Sequence, residues 1–200
     1  MARKFKLPVP FLIVLGILVL AALMFWNSYN GLVRLDEKVS ESWAQVENVY
    51  QRRLDLIPNL VKTVKGYAAH EEETFKSVIE ARSKISEIKV QPQAPGDAQS
   101  LAKFQQAQDV LSGALSRLLV VVERYPDLKA NQSFLALQSQ LEGTENRITV
   151  ERRRFNETAR DFNTRVRFFP NNIVGSLMGF QKKAYFAADE GAKVAPKVVF

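Results

Sequence analysis

The sequence predicts an all-α chain: an N-terminal transmembrane helix followed by an antiparallel up-down four-helix bundle. Leu7 to Trp26 is an apolar run without a single charge. Beyond it, apolar residues recur at steps of three and four through every long segment. No segment alternates with period two for long, so no sheet is expected. The implied division is a basic tail over 1–8, a membrane helix over 9–29, a bundle over 30–169, and an apolar then polar tail over 170–200.

The anchor is read from Phe11, Leu12, Ile13, Val14 and Leu15 through to Phe25 and Trp26. At about 1.5 Å per helical residue the run covers about 30 Å, the thickness of a bilayer's hydrocarbon core. Lipid offers no water to backbone N–H and C=O groups, so the run must be helical there. Pro8 and Pro10 fall in or before the first turn, where a missing N–H costs little. Phe25, Trp26 and Tyr29 stand at the exit, the usual place for interfacial aromatics. A cleaved signal peptide shares the order basic, apolar, polar. Here the apolar run is long for that, and Ala21-Ala22 is followed by Leu-Met-Phe-Trp rather than a polar start, so the anchor is expected to be retained.

Charge sets orientation and excludes some functions. The formal charge is +7, and Arg3, Lys4 and Lys6 supply three of those charges on the membrane flank. The remainder is only mildly basic, without the dense basic face and stacking aromatics of a nucleic-acid binder. After the anchor, Arg34 is offset by Asp36 and Glu37. The positive-inside rule then places the N-terminus in the cytoplasm and the bundle outside the cell (inner) membrane, single-pass. The absence of cysteine removes disulfides and thiolate metal sites.

The first bundle helix follows from Leu32, Leu35, Val39, Trp43, Val46, Tyr50, Leu54 and Ile57, one stripe with a period of about 3.67. Asn30-Gly31 is a turn signal, so the anchor is expected to run into this helix with a soft joint there. Pro58 removes a donor and clashes with the preceding turn, which reads as a helix break, either a hairpin or a kink. Similar segment lengths favour the hairpin. A second helix is then expected from Asn59 to about Val90, its stripe thinning at His70-Glu71-Glu72-Glu73. Gln91 to Ser100 is a loop by its two prolines and glycine. A third helix runs from about Leu101 to Tyr125 and stops at Pro126; a fourth runs from about Asn131 to Phe168 and stops at Pro170. Each helix alone is marginal in water, so a shared core must hold them.

Several stretches resemble the LemA family. They are Asn30-Gly-Leu-Val, Trp43-Ala-Gln-Val-Glu-Asn, Tyr50-Gln-Arg-Arg-Leu-Asp-Leu-Ile-Pro-Asn-Leu-Val and Lys65-Gly-Tyr-Ala-Ala-His-Glu. Tyr125-Pro-Asp-Leu-Lys-Ala-Asn, Glu142-Gly-Thr-Glu-Asn-Arg-Ile and the closing Ala195-Pro-Lys-Val add to them. The resemblance implies a membrane-anchored helical bundle with no assigned enzymatic activity or cofactor and with membrane-associated or membrane-shaping roles.

The residues themselves offer little reactive chemistry. The chain has a single histidine, and no Ser-centred or glycine-rich phosphate motif. His70 with Glu73, near Glu142 and Glu145, belongs to the residue class of carboxylate-bridged metal bundles, but the order is reversed and a second His is missing. A solvated patch or a helix-capping His is the plainer reading, so no catalytic, metal or cofactor site is expected. Glu142, Glu145 and Asn146 read as exposed residues or as a polar layer fixing helix register, with Arg147 or Arg82 as partners. Arg147, Arg152, Arg153, Arg154, Arg160, Arg165 and Arg167 read as a solvated face with i,i+4 pairs.

Up-down topology returns the fourth helix toward the membrane. Arg165, Arg167, Phe168 and Phe169 then end near the headgroups, followed by Leu177, Met178 and Phe180 in an apolar segment too short to span. Arginines beside aromatics and aliphatics suit an interfacial contact with anionic lipid. Gly175 and Gly179 offer a competing use, close packing against a neighbouring subunit. The expected role is a non-catalytic membrane protein assembling with itself or with other membrane proteins. The alternative is an extracytoplasmic sensor acting through a membrane partner.

Overall fold

The computed structural model describes residues 8–88 and 98–187. The basic residues Arg3, Lys4 and Lys6, most of the loop expected at Gln91 to Ser100, and the closing Ala195-Pro-Lys-Val lie outside them. Every element among the described residues is helical: α1 Val9–Lys65, α2 Glu72–Glu87, α3 Ala98–Val122, α4 Pro126–Lys129, α5 Gln132–Arg167 and α6 Asn171–Met178.

Helix α1 is a single 57-residue helix, about 85 Å long at the usual rise. The expected joint at Asn30-Gly31 is absent, and the backbone is helical straight through it. Positions 8 to 27 are all exposed, and Ser28 is the first buried residue. From there Leu32, Val39, Trp43, Val46, Tyr50, Leu54 and Ile57 are buried on one stripe, as their spacing predicts.

Pro58 lies inside α1 and does not end it, in contrast to the reading as a hairpin; of the two readings, only a kink is compatible with a helix that continues. Proline lacks the N–H that would bond the carbonyl four residues back, which here is Leu54. That carbonyl accepts instead from Nε of Arg82 on α2, at 3.0 Å. A partner from the neighbouring helix thus satisfies the group that proline strands, and α1 continues to Lys65. The actual reversal comes at Gly66 to Glu71, where the apolar stripe thins.

Helices α2 and α3 return and leave again, and α5 comes back along α1. The α1–α5 pairing is antiparallel throughout. Ser28 bonds Asn171 just beyond α5, the hydroxyls of Ser42 and Thr158 lie 2.7 Å apart, and Arg53 meets Glu145 at 2.7 Å. Two core clusters result. The membrane-distal one gathers Ile57, Leu60, Phe75, Leu118, Leu128 and Phe134. The proximal one gathers Val39, Trp43, Phe104, Phe155 and Phe162. Pro126 starts the short α4 rather than merely ending α3, and Asn131 caps α5 by accepting from the Phe134 N–H at 3.0 Å. Pro170 separates α5 from α6.

Arg82→Ala is expected to destabilise the protein by about 1–2 kcal/mol by leaving a sequestered carbonyl unpaired. In a Pro58→Ala background, whose new N–H can take that carbonyl, the loss shrinks. Denaturant unfolding of the four chains in detergent, followed by helical circular dichroism, measures this coupling.

Candidate functional site

The membrane-proximal end of the bundle is a platform built beside the exit of the apolar run. Ser28 Oγ donates to Asn171 Oδ1, tying the start of α6 to α1 two residues beyond Trp26. Gly175 lets α6 lie close: a Cβ there would stand 3.3 Å from Val166 Cγ1 and 3.8 Å from Leu32 Cδ1. The close approach is therefore to this chain's own α1 and α5. Gly179 ends α6 with φ +76°, a conformation that L side chains rarely adopt.

The predicted interfacial residues fall on two sides of this platform. Phe168, Phe169, Leu177 and Met178 are exposed, with Phe169 at 74% and Leu177 at 68%, and Ile173 joins them. Arg165 and Arg167 are exposed on the last turn of α5. Phe180 instead turns inward, its ring 6.2 Å from Tyr29 and 6.1 Å from Phe162. On the anchor, Phe11, Leu12, Ile13, Val14, Leu15, Phe25 and Trp26 are all exposed, Trp26 at 72%. Such an apolar surface on the outside of a helix fits lipid and not water.

A polar layer crosses the middle of the bundle. Arg53, only 3% exposed, pairs with Glu145, and its Nη2 donates to Ser112 Oγ at 2.6 Å. Burial lowers the Arg53 pKa, while Glu145, Tyr50 and Asp109 oppose that shift. Burial raises the Glu145 carboxyl, with Arg53 opposing. Burial pushes the Tyr50 phenol up to about 12, against the pull of Arg152 and Arg53. Glu145 thus joins a polar layer across the bundle, with Arg53 rather than Arg147 or Arg82 as its partner. Arg53 sits one step off the apolar stripe, so the stripe alone does not single it out.

The remaining titratable candidates do not converge. His70 is exposed in the distal turn, Glu142 accepts from Gln138 at 3.0 Å, and Glu145 is taken by Arg53. Among the described residues no three His, Cys, Asp or Glu side chains group as metal ligands. The α5 arginines partly pair locally, Arg154 with Glu151 at 3.3 Å and Arg153 with Glu157 at 4.0 Å.

Comparison with known proteins bears on this arrangement. The LemA family profile matches residues 42–200. The chain belongs to the LemA family. Its LemA relatives include Protein LemA of Metamycoplasma hominis, 26% identical over 192 residues, covering 96% of this chain and 82% of that one. Magnetosome protein MamQ of Magnetospirillum gryphiswaldense is 26% identical over 197 residues, covering 90% of this chain and 72% of that one. Magnetosome protein MamQ 1 of Paramagnetospirillum magneticum matches to the same extent. The LemA match includes the polar layer, α6 and the segment after it. Of α1 it includes the part from Ser42 onward.

Glu145→Ala, which leaves Arg53 buried without its carboxylate, is expected to cost about 1–3 kcal/mol, with Glu145's own exposure keeping it below a fully buried pair. The double change Arg53→Met with Glu145→Leu recovers most of that loss, read as the denaturation midpoint in detergent. Tyrosinate absorbance gives a second check. Tyr50 titrates near 12 when folded against about 10 unfolded, so its contribution to stability is complete below pH 10 and lost as pH rises toward 12. Tyr50→Phe removes the late-titrating component.

Proposed function

We propose that this chain is a non-catalytic, single-pass membrane protein. Its bundle is held upright on the anchor, rests its proximal end on the lipid interface, and assembles there with itself or with other membrane proteins. The observation that carries this reading is the unbroken α1, which passes from a fully exposed apolar run into a buried core stripe. One helix among the described residues is long and apolar enough to cross a membrane, and none of its apolar window is buried. A rigid rod of this kind fixes the height of the bundle above the bilayer. It also fixes the height of α6, because Asn171 is bonded at Ser28.

At that height the exposed Phe168, Phe169, Leu177 and Met178 meet the headgroup and upper acyl region, and Arg165 and Arg167 meet anionic headgroups. Kinship with LemA and with the MamQ magnetosome proteins supports a membrane-associated helical protein. The positive flank supports a cytoplasmic N-terminus with the bundle outside the inner membrane. The role is organising rather than chemical: the bundle presents a fixed, stiff surface at a set distance from lipid.

The chain has no native cysteine, so single reporters are clean. A fluorophore on Leu177→Cys in the full chain, reconstituted in vesicles with anionic lipid, is expected to be quenched by lipids spin-labelled near the headgroup. A fluorophore on Val120→Cys at the far end of α3 is not. Equal, weak quenching at both sites contradicts a platform resting on the interface. Arg165→Glu with Arg167→Glu is expected to reduce the Leu177→Cys signal in anionic vesicles and leave it unchanged in neutral ones.

A further inference from the structure

Three side-chain amides in this bundle hold non-helical chain by its backbone. Asn163 accepts from the Lys183 N–H at 2.7 Å and donates to the Lys183 carbonyl at 2.8 Å. Asn156 does the same for Phe186, at 2.9 and 3.0 Å, and Gln105 for Ala187, at 3.3 Å each way. A carboxamide carries a donor and an acceptor side by side, and one backbone residue presents the complementary pair. Next to these bonds the Phe186 ring is buried against Trp43 and Phe155, with ring centres 6.0 and 5.5 Å apart. The molecule's own segment 181–187 thus shows how its helices bind a peptide: backbone to amide, aromatic side chain to an apolar wall.

About one turn further along α3, Gln108 carries the same group with nothing bonded to it. It is the polar member of the core stripe Leu101, Phe104, Gln108, Leu111. Gln108 is 3% exposed, and neither atom of its amide has a hydrogen-bond partner among the described residues. Burying both without partners costs the free energy of stripping water from them. Gln108 lines a cleft of about 400 Å³ between α1, the end of α2 and α3. Its apolar lining is Leu54, Ile85, Ile88, Phe104 and the Tyr50 ring, which stands edge-on to Phe104 at 5.0 Å. Two polar side chains of the lining are already taken: Gln51 donates to Asp55 at 2.7 Å and Ser86 to the Arg82 carbonyl at 3.3 Å. Both are exposed, so the cleft opens to solvent past them.

We propose that this cleft is a docking site for an extended segment of a partner protein. A backbone N–H and C=O of that segment pair with the Gln108 amide, and an apolar side chain beside them fills the space lined by Leu54, Ile85 and Phe104. Recognition is by backbone hydrogen bonds plus one apolar pocket, the mode that the molecule already uses for Phe186. Glu47 lines the same cleft and disfavours an acidic side chain there. Tyr50 stands about 36 Å along α1 from Trp26 at the usual helical rise. With the chain anchored as proposed above, the cleft is beyond the reach of the bilayer's own lipids, and the partner approaches from the aqueous side.

The test uses N-acetyl-leucine methylamide, one apolar residue between two peptide groups, and N-acetyl-leucine methyl ester, which lacks one of its N–H donors. Each is titrated by saturation-transfer NMR against the full chain in detergent. The wild type is expected to bind the amide about tenfold more tightly than the ester. Gln108→Leu removes the donor and acceptor at similar volume, so it is expected to bind the two probes alike. Its denaturation midpoint is expected to rise, because an unpaired buried amide is gone. No binding of the amide by the wild type overturns the proposal, as does equal binding of the two probes. A preference for the amide that survives in Gln108→Leu also overturns it. Those results leave the anchored reading standing, which the Leu177→Cys quenching tests separately.

Discussion

The backbone's need for hydrogen bonds inside lipid is the constraint on which the rest of this structure depends. A chain crossing a bilayer as a single segment must be helical while it does so, because no other group there can pair with its amides. Here the helix does not end where the lipid should. It continues for almost forty residues past Trp26, and its buried face becomes the wall on which the other helices pack. The exposed apolar first third of α1 and the wall of the bundle are thereby one helix.

Along that wall the fit is fixed by polar contacts at intervals. Ser28 with Asn171, Ser42 with Thr158 and Arg53 with Glu145 descend α1 as they ascend the antiparallel return. Apolar stripes alone tolerate sliding by a turn; in the observed register the buried Arg53 meets Glu145 on α5 and Ser112 on α3. The aromatic cluster around Trp43 adds edge-on contacts with Phe104 and Phe155 at 5.8 and 5.5 Å, which also depend on register. Both kinds of contact hold α5 and α6 to one register on α1.

Most of the helical content was legible in the sequence because each core stripe obeys the helical period over many turns. The apolar run that opens α1 was equally plain. The error at Pro58 has a specific origin: proline's local cost was visible, but the Arg82 side chain that relieves it comes from twenty-four positions away. At Asn30-Gly31 the turn signal was likewise local, and the backbone stays helical through it. Arg53 was missed because a charged residue beside an apolar stripe looks like surface. Only the partner on α5 shows that it is interior.

The candidate site was half legible. The exposed aromatics and arginines near Pro170 could be read from composition plus topology. The segment from Gln181 to Ala187 could not, because it has no helix or strand of its own and its backbone is hydrogen-bonded by the side chains of Asn156, Asn163 and Gln105 on other elements. Its polar and aromatic residues carry no periodicity of their own. The dependence of everything on one unbroken rod can be measured directly. Spin labels on Met24→Cys and Lys62→Cys of the full chain in bilayers, read by pulsed dipolar spectroscopy, span both Gly31 and Pro58. A continuous helix predicts a narrow distribution centred near about 57 Å. A broad distribution, or one centred well below that, would contradict the single-helix connection between lipid and bundle.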